Sequence, residues 1–161
     1  MFPVALSRSL LLSAVAFALL SPGVAEAGDL KLRASLNGSQ VVSATESAAT
    51  GEARAMLDDD NAMRVDLVYS DLEQAPVGAE LRVGKASENG AVTEKLAMDI
   101  DGTDGRVVGA QFVVSAEVAA RIRAGEVYLV ITTIAHPNGV IRGQLMPQPV
   151  RLSDEAPLKN E

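Results

Sequence analysis

The sequence predicts an all-β protein: a single antiparallel β-sandwich or flattened barrel of about eight strands, with one short helix near residues 115–124. Three observations carry this. Apolar residues alternate with polar ones at a period of two through most of the chain. Turn signals punctuate the alternation at short intervals. Only one stretch has helical spacing and helix-end residues.

The strands follow in order. Leu30, Leu32, Ala34 and Leu36 alternate with Lys31, Arg33 and Ser35, and Asn37-Gly38 ends the run. Ala53, Ala55 and Leu57 alternate with Glu52 and Arg54 before the turn Asp58-Asp59-Asp60-Asn61. Met63, Val65, Leu67 and Tyr69 alternate with Arg64, Asp66 and Ser70. Ala79–Gly84 and Ala91–Met98 flank Glu88-Asn89-Gly90. Arg106–Val114 follows the Asp- and Gly-rich stretch from Asp101 to Gly105. Asn, Asp and Gly tolerate the backbone angles that tight turns require. The helix opens at Ser115, a good N-cap, with Glu117 in its first turn. Val118, Ala119 and Ile122 give it an apolar side, Arg121 and Arg123 suit its C-terminal end, and Gly125 stops it. The apolar run Val127–Ile134, the turn Pro137-Asn138-Gly139 and Val140–Leu145 then predict a tight β-hairpin.

The two ends of the chain differ from this pattern. Residues 1–27 have the form of a cleaved signal peptide: Arg8 as the positive region, Leu10–Leu20 as the apolar region, and Ala25-Glu26-Ala27 as the cleavage site. The apolar run is about half the length needed to span a bilayer. The expected organisation is a signal peptide over 1–27, a β-domain over 28–150 and a flexible tail over 151–161. The expected location is outside the cytoplasm, in the periplasm or the medium, with no transmembrane segment in the mature form. The chain has no Cys, so its core must suffice without disulfides, which about 130 residues permit.

The 161 residues carry 14 Lys and Arg against 21 Asp and Glu, a net charge of −7. Removing residues 1–27 takes one charge of each sign, Arg8 and Glu26, and leaves that balance unchanged. Phosphate backbones call for a basic domain, so nucleic acid is not an expected partner.

Catalytic signals are sparse. His136 is the only His and stands next to Pro137 in a turn, and one His builds no His₂ or His₃ centre. There is no Cys, no G-x-S-x-G and no Gly-rich phosphate loop. With no Trp, two Tyr and three Phe, sugar-stacking aromatics are also lacking; Tyr69 and Tyr128 read as packing residues with satisfied hydroxyls. The candidate cation loop is Asp99, Asp101 and Asp104, whose carboxylates suit Ca²⁺. Its spacing departs from an EF-hand, and Asp and Gly are equally the residues of a β-turn. Asp58-Asp59-Asp60 has the same ambiguity.

Several segments together resemble the CHRD (chordin) domain family. They are Leu32–Leu57 with its Gly38-to-Val42 and Glu46-to-Ala53 steps, Leu67–Val92, Ser115–Thr133, and the closing His136–Leu145. The resemblance covers about Leu30 to Leu145 and implies an extracytoplasmic β-domain more readily than an activity. The family commonly has A-H-I-H-x-G in a middle strand, where this chain reads Ala79-Glu80-Leu81-Arg82-Val83-Gly84. It commonly has a His in its penultimate strand, where this chain has Thr132. Three imidazoles there would suit a transition metal. The resemblance thus places Glu80, Arg82 and Thr132 at the family's histidine positions, so no Cu or Zn is expected. The expected replacement is a surface or rim ion pair between Glu80 and Arg82, the alternative being a retained polar pocket with altered chemistry. The closing motif Arg142-Gly143-Gln144 is expected to be structural, with a buried Arg142 bonded to backbone carbonyls or an acid.

The expected function is an exported, non-catalytic binding or interaction module for an unknown protein or small molecule, without a cofactor unless Ca²⁺. The alternatives are a periplasmic metal-binding or redox-related protein on a superoxide dismutase-like sandwich, and a partner subunit of a His-containing homologue.

Overall fold

The computed structural model describes residues 28–149. The expected signal peptide (1–27) and tail (151–161) lie outside the described residues.

Ten strands form one antiparallel sheet curled into a half-barrel. They are β1 (Leu30–Asn37), β2 (Thr50–Leu57), β3 (Ala62–Ser70), β4 (Gly78–Val83), β5 (Ala91–Leu96), β6 (Asp99–Asp101), β7 (Asp104–Val113), β8 (Val127–Thr132), β9 (Ile141–Gln144) and β10 (Met146–Pro147). The sheet order is β5-β4-β8-β9-β1-β2-β3-β7-β6, with β10 beside β1. The all-β expectation holds, and each of the eight expected strands is present. The two additions have physical causes. Every residue of β6 is exposed, so it has no apolar alternation to reveal it. β10 continues β9: Asn37 faces Arg142 and Arg33 faces Met146 in one register on β1. Between them the Leu145 N–H turns aside to the Val127 carbonyl, 2.9 Å away.

The period of two is realised as one buried face. Leu32, Leu36, Ala53, Leu57, Met63, Val65 and Leu67 are all buried in the same core as Leu81, Leu129, Ile131 and Ile141. The one α-helix among the described residues, α1, runs Ala116–Arg123. The Ser115 hydroxyl accepts the Val118 N–H at 3.2 Å. At the other end Gly125 has φ of 71° and donates to the Ile122 carbonyl. Ala119 and Ile122 join the core and hold this short helix in place.

The expected tight hairpin is corrected. β8 and β9 do pair, Tyr128 with Gln144 and Ile131 with Ile141, but residues 133–140 form a longer connection between them. β8 stops at Thr132, whose carbonyl takes the Val77 N–H at 2.8 Å, and Ile134 turns out to solvent. The His136 carbonyl accepts from Thr133 and Gly139, and Gly139 sits at a φ of 127°.

Candidate functional site

β8 is buried on both faces. Val127, Leu129 and Ile131 face the core; Tyr128, Val130 and Thr132 face outward. The outer face would be wet were it not for the segment between β4 and β5, which folds back over it. That face carries a polar cluster in two cross-strand rows: Arg82–Tyr128–Gln144 and Glu80–Val130–Arg142.

Arg142 anchors the cover. It is 2% exposed. Nη1 donates to the Glu88 carbonyl at 2.8 Å and Nη2 to the Lys85 carbonyl at 2.6 Å. Its guanidinium lies 3.5 Å from the centroid of the Tyr128 ring, a cation–π stack. Gln144 Nε2 donates to the carbonyls of Gly84 and Gly125 at 2.9 and 2.8 Å. The Tyr128 hydroxyl accepts the Gly90 N–H at 2.9 Å, as a buried tyrosine requires. A side chain at Gly90 would run into the Val83 carbonyl, so the cover can close only over glycine. Burial pushes the Arg142 guanidinium below its ordinary pKa. The nearby charges of Tyr128 and Glu88 oppose this and Arg82 adds to it. Arginine remains protonated across the range where proteins fold.

The three positions that the family resemblance gives to histidine do share one face of neighbouring strands, β4 and β8. They do not form an open pocket. Glu80 Oε2 accepts from Arg82 Nε at 2.8 Å and from Arg82 Nη2 at 2.5 Å. Their side chains are only 12% and 10% exposed. The expected surface or rim pair is therefore corrected to a nearly buried one; β4 lies inside the sheet, between β5 and β8, and not at an edge. Coulomb attraction inside such a pair is largely offset by the desolvation of both ions. The Thr132 hydroxyl donates to the Gly78 carbonyl at 3.2 Å. Each of these three side chains thus makes at least one bond to a neighbour or to backbone.

A CHRD domain family model matches residues 32–145. The chain belongs to the CHRD domain family. No curated protein and no solved structure matches it. In this CHRD domain the family-matched region begins in β1 and ends at Leu145, between β9 and β10, so it takes in the whole polar face.

Outside that face, the CHRD domain places Asp99, Asp101 and Asp104 on the β6–β7 hairpin, with Gly102 at a φ of 64° in its turn. Asp99 pairs with Arg106 at 2.9 Å. Asp104 Oδ1 accepts the Asp71 N–H at 2.8 Å. Asp58 works similarly in the β2–β3 turn, accepting the Ala62 N–H at 2.8 Å. Among the described residues, no three His, Cys, Asp or Glu side chains gather where a cation could sit. His136 is exposed.

The expectation for Tyr69 is corrected. It is 2% exposed, yet its hydroxyl has no hydrogen-bond partner. It packs opposite Gly105, where any Cβ would strike the phenol oxygen. Burial, then the charges of Asp104 and Asp99, raise its pKa above the ordinary tyrosine value. A raised pKa favours the neutral phenol in the folded state. The resulting stability is present below the unfolded value of 10.0 and is lost as pH rises through the higher folded value. Tyr69→Phe is therefore expected to melt at or above the parent temperature at pH 7, and to lose less stability than the parent between pH 9 and 11. Thermal melts across that range check this. A variant that melts well below the parent would mean the hydroxyl has a partner after all.

Proposed function

We propose that this CHRD domain is an exported, non-catalytic binding module. The observation that supports it most directly is the state of the β4–β8–β9 face. Where the family resemblance puts imidazoles, Glu80 and Arg82 hold each other and Thr132 holds a backbone carbonyl. Arg142 and Gln144 are engaged in closing the cover. A general acid, base or nucleophile needs a group free to meet its substrate, and these groups are engaged. What remains available for contact is surface. One such place is a cavity of about 530 Å³ between Ser39–Val42 and Ala86-Ser87, floored by Arg142 and Gln144.

The form of residues 1–27 supports export to the periplasm or medium. Among the described residues no helix is long and apolar enough to cross a membrane. No resident cofactor is part of this reading; Ca²⁺ at the β6–β7 hairpin is the one ion whose donor chemistry suits the aspartates.

The test is recovery of the exported product from cells expressing the full chain, followed by N-terminal sequencing and elemental analysis. A product beginning at Gly28 and carrying no stoichiometric copper or zinc is expected. Retention of residues 1–27 in the exported product overturns the cleaved-export reading. A tightly held copper or zinc ion overturns the binding-module reading in favour of a metal or redox protein.

A further inference from the structure

The outer face of β1, β2 and β3 carries charge of the wrong sign for this protein. Against a chain balance of −7, four cations project into one open groove of about 560 Å³: Lys31, Arg33, Arg54 and Arg64. Arg33 and Arg54 stand directly opposite each other across the β1–β2 pair. Like charges in that position oppose strand pairing. Among the described residues no carboxylate pairs with Lys31, Arg33 or Arg54. The one acid in the groove, Asp66, stands opposite Arg54 across the β2–β3 pair, lies 3.5 Å from Arg64 and accepts the Gly109 N–H at 2.7 Å, so one carboxylate is shared among the cations.

Arg64 is also positioned by the backbone. The β3–β7 register shifts between Val65 and Leu67, and Gly109 lies opposite that bulge with φ of 54°. A Cβ there would sit 2.9 Å from Arg64 Nη2. Glycine therefore lets the guanidinium lie flat against β7 beside the groove.

We propose that this groove binds a compact small molecule bearing two or three carboxylate or phosphate groups. The proposal rests on the binding-module reading and gives it a surface and a ligand class. Planar guanidinium forks match both oxyanions in a bidentate fashion. Three neighbouring strands span about 10 Å, which is room for two or three anionic groups between the four cations. A long polyanion is disfavoured because acids border the groove. Glu52 follows on β2, and Asp29 and Asp58 line the adjoining hollow that shares Met56 and Arg64. Such a chain would run from the cations onto carboxylates.

The experiment is calorimetric titration of the purified protein at low salt with citrate and with pyrophosphate, using acetate as the monovalent control. Saturable binding of citrate or pyrophosphate at one site per chain is expected, weakened by salt, with acetate not saturating. The tighter of the two probes assigns the ligand's acid groups as carboxylate or phosphate. The Arg33→Gln/Arg54→Gln double variant is expected to bind about tenfold more weakly or worse, while melting near the parent temperature, because removing the Arg33–Arg54 opposition offsets losing Arg54 opposite Asp66. Lys31→Gln, at an exposed position, gives a second reading of the same loss. No saturable binding of either probe, or binding unchanged in these variants, overturns the proposal. Pyrophosphate hydrolysed by the parent and spared by the double variant would support the site while removing the non-catalytic reading, so the two fail separately.

Discussion

Arg142→Ala is expected to lower the melting temperature by about 10–30 °C. The side chain donates charge-assisted hydrogen bonds to two backbone carbonyls, at Lys85 and Glu88, each worth about 1.5–3 kcal/mol. Alanine leaves both carbonyls and the Tyr128 ring face without a partner, a loss of about 3–6 kcal/mol. For a domain of this size each kcal/mol shifts the midpoint by roughly 3–5 °C. The effect should be local first. Amides from Lys85 to Gly90, which lose their two bonds to Arg142 and keep those to Tyr128 and Gln144 at the ends of the segment, should exchange with solvent much faster than those of β2 and β3. Arg142→Lys separates charge from shape. It keeps the cation but offers neither the fork that reaches two carbonyls nor the flat face that stacks on Tyr128, so it should fall between alanine and the parent. An Arg142→Lys protein that melts with the parent would show the fork to be unnecessary.

Gly143→Ala is expected to cost about 3 kcal/mol for a single methyl group. Gly143 is the point where β9 passes β1 most closely. A Cβ there would lie 2.6 Å from the Ser35 carbonyl oxygen and 2.9 Å from its carbon. Both are backbone atoms of a strand fixed on its far side by eight paired residues of β2, so neither can retreat cheaply. The strands must separate, breaking the Asn37–Arg142 pairing, or β9 must rotate and carry Arg142 away from its carbonyls. Thermal melting together with amide exchange at Asn37 checks this. A stability within about 0.5 kcal/mol of the parent, the range of an ordinary surface change, would mean that the two strands have slack. The Arg142-Gly143-Gln144 motif thus divides its labour. The outer two side chains fasten the cover, and the glycine between them lets β9 lie against β1.

Much of this was legible in the sequence because one-sided burial writes itself as alternation. β1, β2 and β3 bury every second residue, so their bounds fell close to the observed ones. The helix was legible for another reason: Ser115 and Gly125 are both local signals, and each does at the terminus what its chemistry suggests. Arg142 could be read as buried because it stands in the closing motif of the family resemblance, on the strand face opposite Ile141 and Leu145, where a cation needs fixed acceptors. The features that stayed hidden depend on distant partners. Glu80 and Arg82 look like solvated residues until β5 and β8 pair on either side of β4. Tyr69 looks like any strand tyrosine until Gly105 receives its ring and no acceptor meets its hydroxyl. β6 is held only by its pairing with β7, since none of its residues is buried. The basic groove was invisible in the charge total. Its cations come from three strands, and only the register puts Arg33 beside Arg54.

The placement of β1 has a bearing on how the chain comes together. Apart from the link between β9/β10 and β1, the sheet divides into two halves, β5-β4-β8-β9 and β1-β2-β3-β7-β6. The opening strand is the seam, and its partners on that side are about a hundred residues downstream. Such a distant contact is slow to form because the intervening chain must first be confined. A polypeptide still emerging from the ribosome can assemble the β2–β3 hairpin but cannot zip the two halves until its closing strand has been made. Folding of this protein is therefore expected to finish only after synthesis has passed Leu145, a delay that would suit the export proposed above.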